Sequence, residues 1–106
     1  MFSNGESAMK IFVEHITEEA IYLIDEPENS MSFSQQLELK RYIEDSARYF
    51  NCQFIIATHS PTFLSLKDAK IYNLDKYPVS VDKWTDLENV RKLYELFKEY
   101  SHEFEG

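Results

Sequence analysis

Two adjacent acidic residues and one histidine are the residues of this sequence best suited to chemistry. Asp25 and Glu26 follow one short apolar run, and His59 follows another. One carboxylate of an adjacent pair can bind magnesium through oxygen, while the other orients or deprotonates a water molecule. A histidine beside them can donate a hydrogen bond to a phosphate oxygen. Phosphoryl transfer uses such a division of roles, because its transition state is stabilised mainly by positioning and charge.

Each of these features also has a purely structural interpretation. The alternative for the acidic pair is a polar turn that ends the strand, formed by Asp25, Glu26 and Pro27. A histidine near the end of a strand is more often a hydrogen-bonded structural residue than a catalyst. The pair and the histidine therefore favour a phosphoryl-transfer site only in combination, and the elements that carry them decide whether they meet.

Helices and strands are predicted to alternate along the chain. Short apolar runs at 20–24 and 53–57 predict strands that are buried on both faces, and 71–74 predicts a third, weaker strand. This alternation predicts an α/β fold with a parallel sheet and covering helices. Ligands bind at the carboxyl ends of the strands in such sheets, which is where the acidic pair and the histidine fall.

Four helices are predicted between and around these strands. Serine or threonine followed three residues later by Glu or Gln predicts capping boxes at Ser3, Ser32 and Thr85. Pro61 suits the first position of a short helix capped by Ser60. The predicted helices cover 3–19, about 33–51, a short segment from Pro61, and about 85–104.

Composition limits the classes to which the protein can belong. A chain of 106 residues predicts one domain over 1–106, and 43% hydrophobic with 15% aromatic residues favours a packed core over disorder. The net charge of −8 argues against a broad nucleic-acid-binding face. The single cysteine, Cys52, fits a reducing, cytoplasmic location. No apolar run is long enough to span a bilayer, so we predict no membrane partner.

Three motifs resemble those of ATP-binding-cassette ATPases and stand along the chain in the order and approximate spacing of that family. The stretch Ile21–Pro27 reads Ile-Tyr-Leu-Ile-Asp-Glu-Pro and resembles an extended Walker B motif. Thr58 and His59, after the run 53–57, resemble the switch-histidine loop. Residues 2–6, Phe-Ser-Asn-Gly-Glu, resemble the signature motif usually written Leu-Ser-Gly-Gly-Gln. The resemblance covers about residues 2–75 and is strongest to the soluble SMC-like and RecF-like ATPases of chromosome maintenance, DNA repair and phage defence.

This resemblance implies roles for individual residues. Asp25 would hold Mg²⁺, Glu26 would be the general base or polarise the attacking water, and His59 would contact the γ-phosphate. Two further groups are implied. The signature group that reaches ATP held by the opposite subunit is Ser3, Asn4, Gly5 and Glu6. The D-loop that crosses between subunits is Asn29, Ser30, Met31 and Ser32. The resemblance therefore implies ATP and Mg²⁺ as cofactors and a homo- or heterodimer, with nucleic acid as a partner by analogy only.

Four departures from the family pattern stand out. Asn4 replaces a glycine, Glu6 a glutamine and Ser32 an aspartate. No Gly-x-x-x-x-Gly-Lys-Ser/Thr phosphate loop occurs, because the only glycines are Gly5 and Gly106. We therefore predict a partial P-loop NTPase fold of about three parallel strands that lacks the phosphate-loop strand. The partner would be the missing N-terminal ATPase half or a second ATPase subunit, and the isolated chain is predicted to be inactive.

Three functions are consistent with these observations. The first is the C-terminal portion of an ATP-binding-cassette-class ATPase. The second is a non-hydrolysing interaction module that completes a partner ATPase. The third is a metal-dependent nuclease built on Asp25, Glu26 and Glu28, for which the sequence offers no further carboxylates at motif spacing.

Overall fold

The computed structural model describes residues 21–106 and divides the chain into two compact units, 1–67 and 68–106. The prediction of one domain over 1–106 stays a prediction. The predicted helix over 3–19 lies outside the described residues. The same holds for the signature group Ser3, Asn4, Gly5 and Glu6.

The first unit contains two parallel strands joined by a helix. Strand β1 (Ile21–Asp25) pairs with β2 (Gln53–Ala57) in register from Ile21 opposite Gln53 to Asp25 opposite Ala57. The predicted α/β class and the first two strands are thereby confirmed. The elements in chain order are β1 (Ile21–Asp25), a 3₁₀ turn (Pro27–Ser30), α1 (Phe33–Tyr49), β2 (Gln53–Ala57) and α2 (Pro61–Leu64).

Helix α1 begins and ends where local chemistry dictates. The backbone N–H of Gln35 donates to Ser32 Oγ at 3.2 Å, and the N–H of Ser32 donates to Gln35 Oε1 at 2.9 Å. This reciprocal pair confirms the predicted capping box. Past the other end, Asn51 adopts the left-handed conformation with φ 55°, which asparagine tolerates better than most residues. The helix therefore stops just before the predicted boundary.

The core of this unit lies between the strand pair and its helices. Leu39 and Ile43 of α1 and Phe63 of α2 are buried. Partly buried apolar residues pack against them: Ile24, Met31, Phe54, Ile56 and Leu66. Burial of these side chains from water is the main favourable contribution to folding.

The opposite face of the strand pair corrects one prediction. Its apolar side chains remain exposed: Ile21 by 65%, Leu23 by 77% and Ile55 by 55%. Successive side chains point to opposite faces, and among residues 21–106 the helices that pack on the core cover only one of these faces. Within this range the prediction of strands buried on both faces is therefore wrong.

The turn into α2 corrects a second prediction. Pro61 occupies the first turn as predicted, and Ser60 is the residue at the cap position. The Ser60 hydroxyl, however, makes no capping hydrogen bond and instead donates to Gln36 Oε1 of α1 at 2.6 Å. A hydrogen bond to the distant residue Gln36 has therefore replaced the local capping bond that the sequence predicted.

The second unit corrects the prediction of a third parallel strand. Strand β3 (Ile71–Asn73) pairs antiparallel with β4 (Ser80–Asp82), with Tyr72 opposite Val81. The two form a separate two-stranded sheet. The connection 74–79 is short, so local closure costs less chain entropy than pairing with a distant strand. The alternation of valine with polar residues at 79–82 was the available signal for β4.

The C-terminal helix is divided into two segments. After a 3₁₀ turn (Trp84–Asp86), α3 spans Glu88–Glu99 and α4 spans Ser101–Glu105. The predicted capping box at Thr85 does not form, because this residue lies inside the turn and Leu87 precedes the helix. Leu87 and Val90 are buried. Among the helices of residues 21–106, none is both long and apolar enough to cross a membrane.

Candidate functional site

The carboxyl ends of β1 and β2 bring the predicted catalytic residues to one edge of the sheet. Asp25 is the register partner of Ala57, and the backbone N–H of Glu26 donates to Ala57 O at 2.7 Å. That bond extends the ladder by one residue beyond β1. Thr58 and His59 follow directly on the neighbouring strand, so the acidic pair and the histidine emerge side by side, as the alternation of elements predicted.

Glu26 has an unusual backbone conformation. Its φ of 45° and ψ of 58° place it in the left-handed region, which a side chain other than Gly, Asn or Asp rarely adopts. Holding a residue there costs about 1–3 kcal/mol. The hydrogen bond to Ala57 on one side and Pro27 at the start of the 3₁₀ turn on the other keep it in place. Strain of this kind concentrates at functional sites.

The side chain of Glu26 contacts two predicted site residues. Its Oε1 lies 3.9 Å from His59 Nδ1, and its Oε2 accepts a hydrogen bond from Asn29 Nδ2 at 3.0 Å. The His59 side chain is 78% exposed, and Asp25 is exposed as well. A carboxylate and an imidazole thus lie close together and open to solvent, and Asp25 directly precedes Glu26 at the end of β1.

This donor set fits a magnesium ion that comes with a phosphate ligand. Magnesium usually keeps several waters and takes only one or two protein carboxylates beside the oxygens of a substrate phosphate. Asp25 supplies one such carboxylate at the strand end. Within residues 21–106, no group of three His, Cys, Asp or Glu side chains is arranged to hold a metal ion by itself.

A second glutamate, which was not among the predicted ATPase site residues, binds the histidine loop. Glu28 Oε1 accepts a hydrogen bond from Thr58 Oγ1 at 2.7 Å, and Glu28 Oε2 accepts one from the backbone N–H of His59 at 3.1 Å. Burial by itself would raise the pKa of Glu28. The hydrogen bonds from Thr58 and His59 outweigh that effect and hold the pKa below its ordinary value.

The same loop is held at two further points. The backbone N–H of Ser60 donates to Thr58 Oγ1 at 3.0 Å. The Ser60 hydroxyl donates to Gln36, whose Nε2 reaches Met31 O at 3.4 Å. Residues 58–60 are therefore fixed both by the turn after β1 and by α1. The contacts of Glu28 and Gln36 gave no strong sequence signal, because their partners lie 24 to 31 residues away.

The four predicted D-loop residues occupy three different settings. Asn29 and Ser30 belong to the 3₁₀ turn, Met31 is extended and packs against the core, and Ser32 caps α1. Asn29 alone among them contacts a predicted catalytic residue, Glu26. The crossing role of this segment stays a prediction.

Known proteins that are similar to this chain include a family of ATPase domains and a solved structure. Residues 3–64 match the family described as "AAA ATPase domain". No curated protein matches the chain. A solved structure from a study of the structural biochemistry of ATP-driven dimerization and DNA-stimulated activation of SMC ATPases is similar, with a TM-score of 0.58 at 17% identity. The match covers 94% of this chain but only 62% of that one, and at this identity it shows the fold alone.

Proposed function

This chain belongs to the AAA ATPase domain family, and we propose that it supplies the hydrolytic residues of an ATP site whose phosphate loop lies on another polypeptide segment. The observation that carries the proposal is the meeting of Glu26 and His59, 3.9 Å apart, at the carboxyl ends of two parallel strands. Pairing within the sheet brings together two residues that lie far apart in the sequence. A general base and a phosphate-binding donor need this proximity.

Each residue at the strand ends has a proposed task. Asp25 holds Mg²⁺, which would neutralise phosphate charge when bound. The Glu26 carboxylate accepts a proton from the attacking water or orients that water. His59 donates a hydrogen bond to the γ-phosphate. The signature group at residues 3–6 completes the site in trans, where the N-terminus of the helix predicted over 3–19 would favour an anion.

The uncovered face of the strand pair supports a composite site. Ile21, Leu23 and Ile55 are exposed, and apolar side chains of a parallel pair are normally covered on both faces. We propose that the segment carrying the phosphate loop covers this face and extends the sheet beyond β2. Dimerisation and DNA binding are proposed only by analogy with the structural neighbour, and a cytoplasmic location remains a prediction.

Two measurements test the proposal. Calorimetric titration of the chain alone with magnesium-ATP is expected to show no micromolar binding and no turnover, because no phosphate loop grips the nucleotide. Mixing the chain with a polypeptide that carries the phosphate-loop half is expected to produce phosphate release, and Glu26→Gln should abolish it. Glu38→Gln, at an exposed position of α1, is the matched control. Release that survives Glu26→Gln would refute the assignment of the base.

The exposed apolar surfaces favour a second candidate function. A non-hydrolysing interaction module would use the exposed apolar face of the strand pair to bind and complete a partner ATPase. In that case the chain mixed with its partner ATPase would bind nucleotide. Glu26→Gln would leave the rate of phosphate release by that mixture unchanged. The nuclease alternative is weaker, because both oxygens of Glu28 already accept hydrogen bonds from Thr58 and His59.

A further inference from the structure

The Glu28 carboxylate is the contact that joins the turn after β1 to the loop after β2. Its two oxygens accept from the Thr58 hydroxyl at 2.7 Å and from the His59 backbone N–H at 3.1 Å. Hydrogen bonds to a charged acceptor are stronger than those between neutral groups. A carboxylate that binds two consecutive residues in this way fixes both the position and the direction of the backbone that it holds.

The contrast with Glu26 separates two roles within one acidic turn. Glu26 is exposed and lies near the imidazole, whereas Glu28 is partly buried and holds the backbone that carries the imidazole. The His59 side chain itself is 78% exposed, and the position of its Cα fixes the point from which the ring extends. Whatever holds that backbone therefore sets where the ring can reach.

We propose that Glu28 is a positioning residue that holds the backbone of His59 and, through it, the distance between the imidazole and Glu26. The inference rests on the proposed function, because it assigns to Glu28 a role in the site that Glu26 and His59 form. Glu28 also directly precedes the predicted D-loop, Asn29 to Ser32. The same carboxylate thus connects that segment to His59.

The first test uses the chain alone and needs no nucleotide. In Glu28→Gln, the backbone amide of His59 is expected to exchange with solvent about tenfold faster, the size expected for losing a hydrogen bond to a charged acceptor. Thr58→Val, which removes the other donor, should give a smaller increase, and Glu38→Gln should give none. Circular dichroism of each variant establishes that it is folded.

A spectroscopic signature separates this role from general structural support. In the parent chain, the His59 amide proton shift should titrate below the ordinary glutamate pKa of about 4.3, following the lowered pKa of Glu28. That step should vanish in Glu28→Gln and persist in Glu38→Gln. Unchanged exchange and an unchanged acid titration of the His59 amide in Glu28→Gln would overturn the proposal.

The second test asks whether the positioning matters for turnover. In the ATPase reconstituted from the two halves, Glu28→Gln should lower kcat about tenfold or more and leave KM for ATP within about twofold. Added to His59→Ala, it should cost nothing further, because Glu28 acts through that residue. A full additional loss would overturn the proposal. If no reconstituted ATPase forms, the proposed function fails, while the amide measurements still decide what Glu28 holds.

Discussion

Two carboxylates, one in each unit, show how similar contacts serve different ends. Glu28 accepts hydrogen bonds from Thr58 and His59, and Asp82 accepts them from Asn73 Nδ2 at 2.9 Å and from Ser80 Oγ at 3.1 Å. Lys76 Nζ also lies 3.1 Å from Asp82. Both carboxylates have a pKa below the ordinary value, and hydrogen bonds to the charged form contribute to both shifts.

The difference lies in where the donors come from. The donors to Asp82 are at most nine residues away and belong to the same hairpin, whereas the donors to Glu28 are 30 and 31 residues away on the neighbouring strand's loop. A local network reinforces a turn that the chain already forms. A long-range network requires the sheet to be built first, and it then fixes the site at the sheet's edge.

The largest effect is expected in the core of the first unit. This unit also holds the Glu28 network, which consists of the hydrogen bonds from Thr58 and His59 to the Glu28 carboxylate. Leu39→Ala should lower the free energy of unfolding by about 2–5 kcal/mol, because Leu39 is fully buried between the helices and strands of its unit. Urea denaturation measures the loss. Leu37→Ala, at an exposed position of the same helix, should cost much less. Equal losses at both positions would contradict the assigned core.

The next largest effect compares the two carboxylates directly. Glu28→Ala should destabilise the chain by about 1–3 kcal/mol, because the Thr58 hydroxyl and the His59 N–H lose their acceptor. Asp82→Ala should cost less, since its donors belong to the same short hairpin, whereas Glu28 joins two segments that lie 30 residues apart in the sequence. Thermal or urea unfolding of the two variants tests the order. A larger loss of unfolding free energy in Asp82→Ala than in Glu28→Ala would contradict the expected order.

Acid should weaken the Glu28 network in a defined window. Because the pKa of Glu28 is lower in the folded chain than in the unfolded chain, its stabilisation is present above a pH of about 4.3 and is lost as the pH falls through the lowered pKa. Carboxyl ¹³C titration in the parent chain measures the position of that window. An unshifted titration of Glu28 would contradict the hydrogen bonds assigned to it.

The same titration can separate the two networks. Thr58→Val should bring the pKa of Glu28 back towards its ordinary value and leave Asp82 unchanged. Asn73→Ala should do the reverse, because Asn73 is the strongest contributor to the lowered pKa of Asp82. A change in the pKa of both Glu28 and Asp82 in either variant would show that the two hydrogen-bond networks are coupled.

The smallest effect is expected at a third carboxylate on the surface of α3. Glu88 Oε1 lies 2.9 Å from Lys92 Nζ one helical turn away, and both side chains are largely exposed. Exposed pairs of this kind contribute little and are screened by salt. Glu88→Gln should therefore change the midpoint of unfolding only slightly, and not at all in high salt. A large, salt-independent loss would mean that α3 relies on this pair.

Local patterns in the sequence predicted much of the first unit. The serine–glutamine spacing at Ser32 and the apolar run 53–57 correctly predicted the start of α1 and the whole of β2. The predictions failed where a distant or unrecognised partner intervened. Ser60 bonds to Gln36 instead of capping α2, and β3 pairs with β4 instead of joining the parallel strands.

The sequence by itself determined the membership in an ATPase family and the placement of an acidic pair and a histidine at strand ends. Those features depend on residue types and on short-range order along the chain. Only the tertiary structure decided that Glu28 binds the histidine loop while Glu26 stays exposed beside the imidazole. The two glutamates stand two positions apart in one turn, and what distinguishes them is the neighbouring strand that parallel pairing brings alongside.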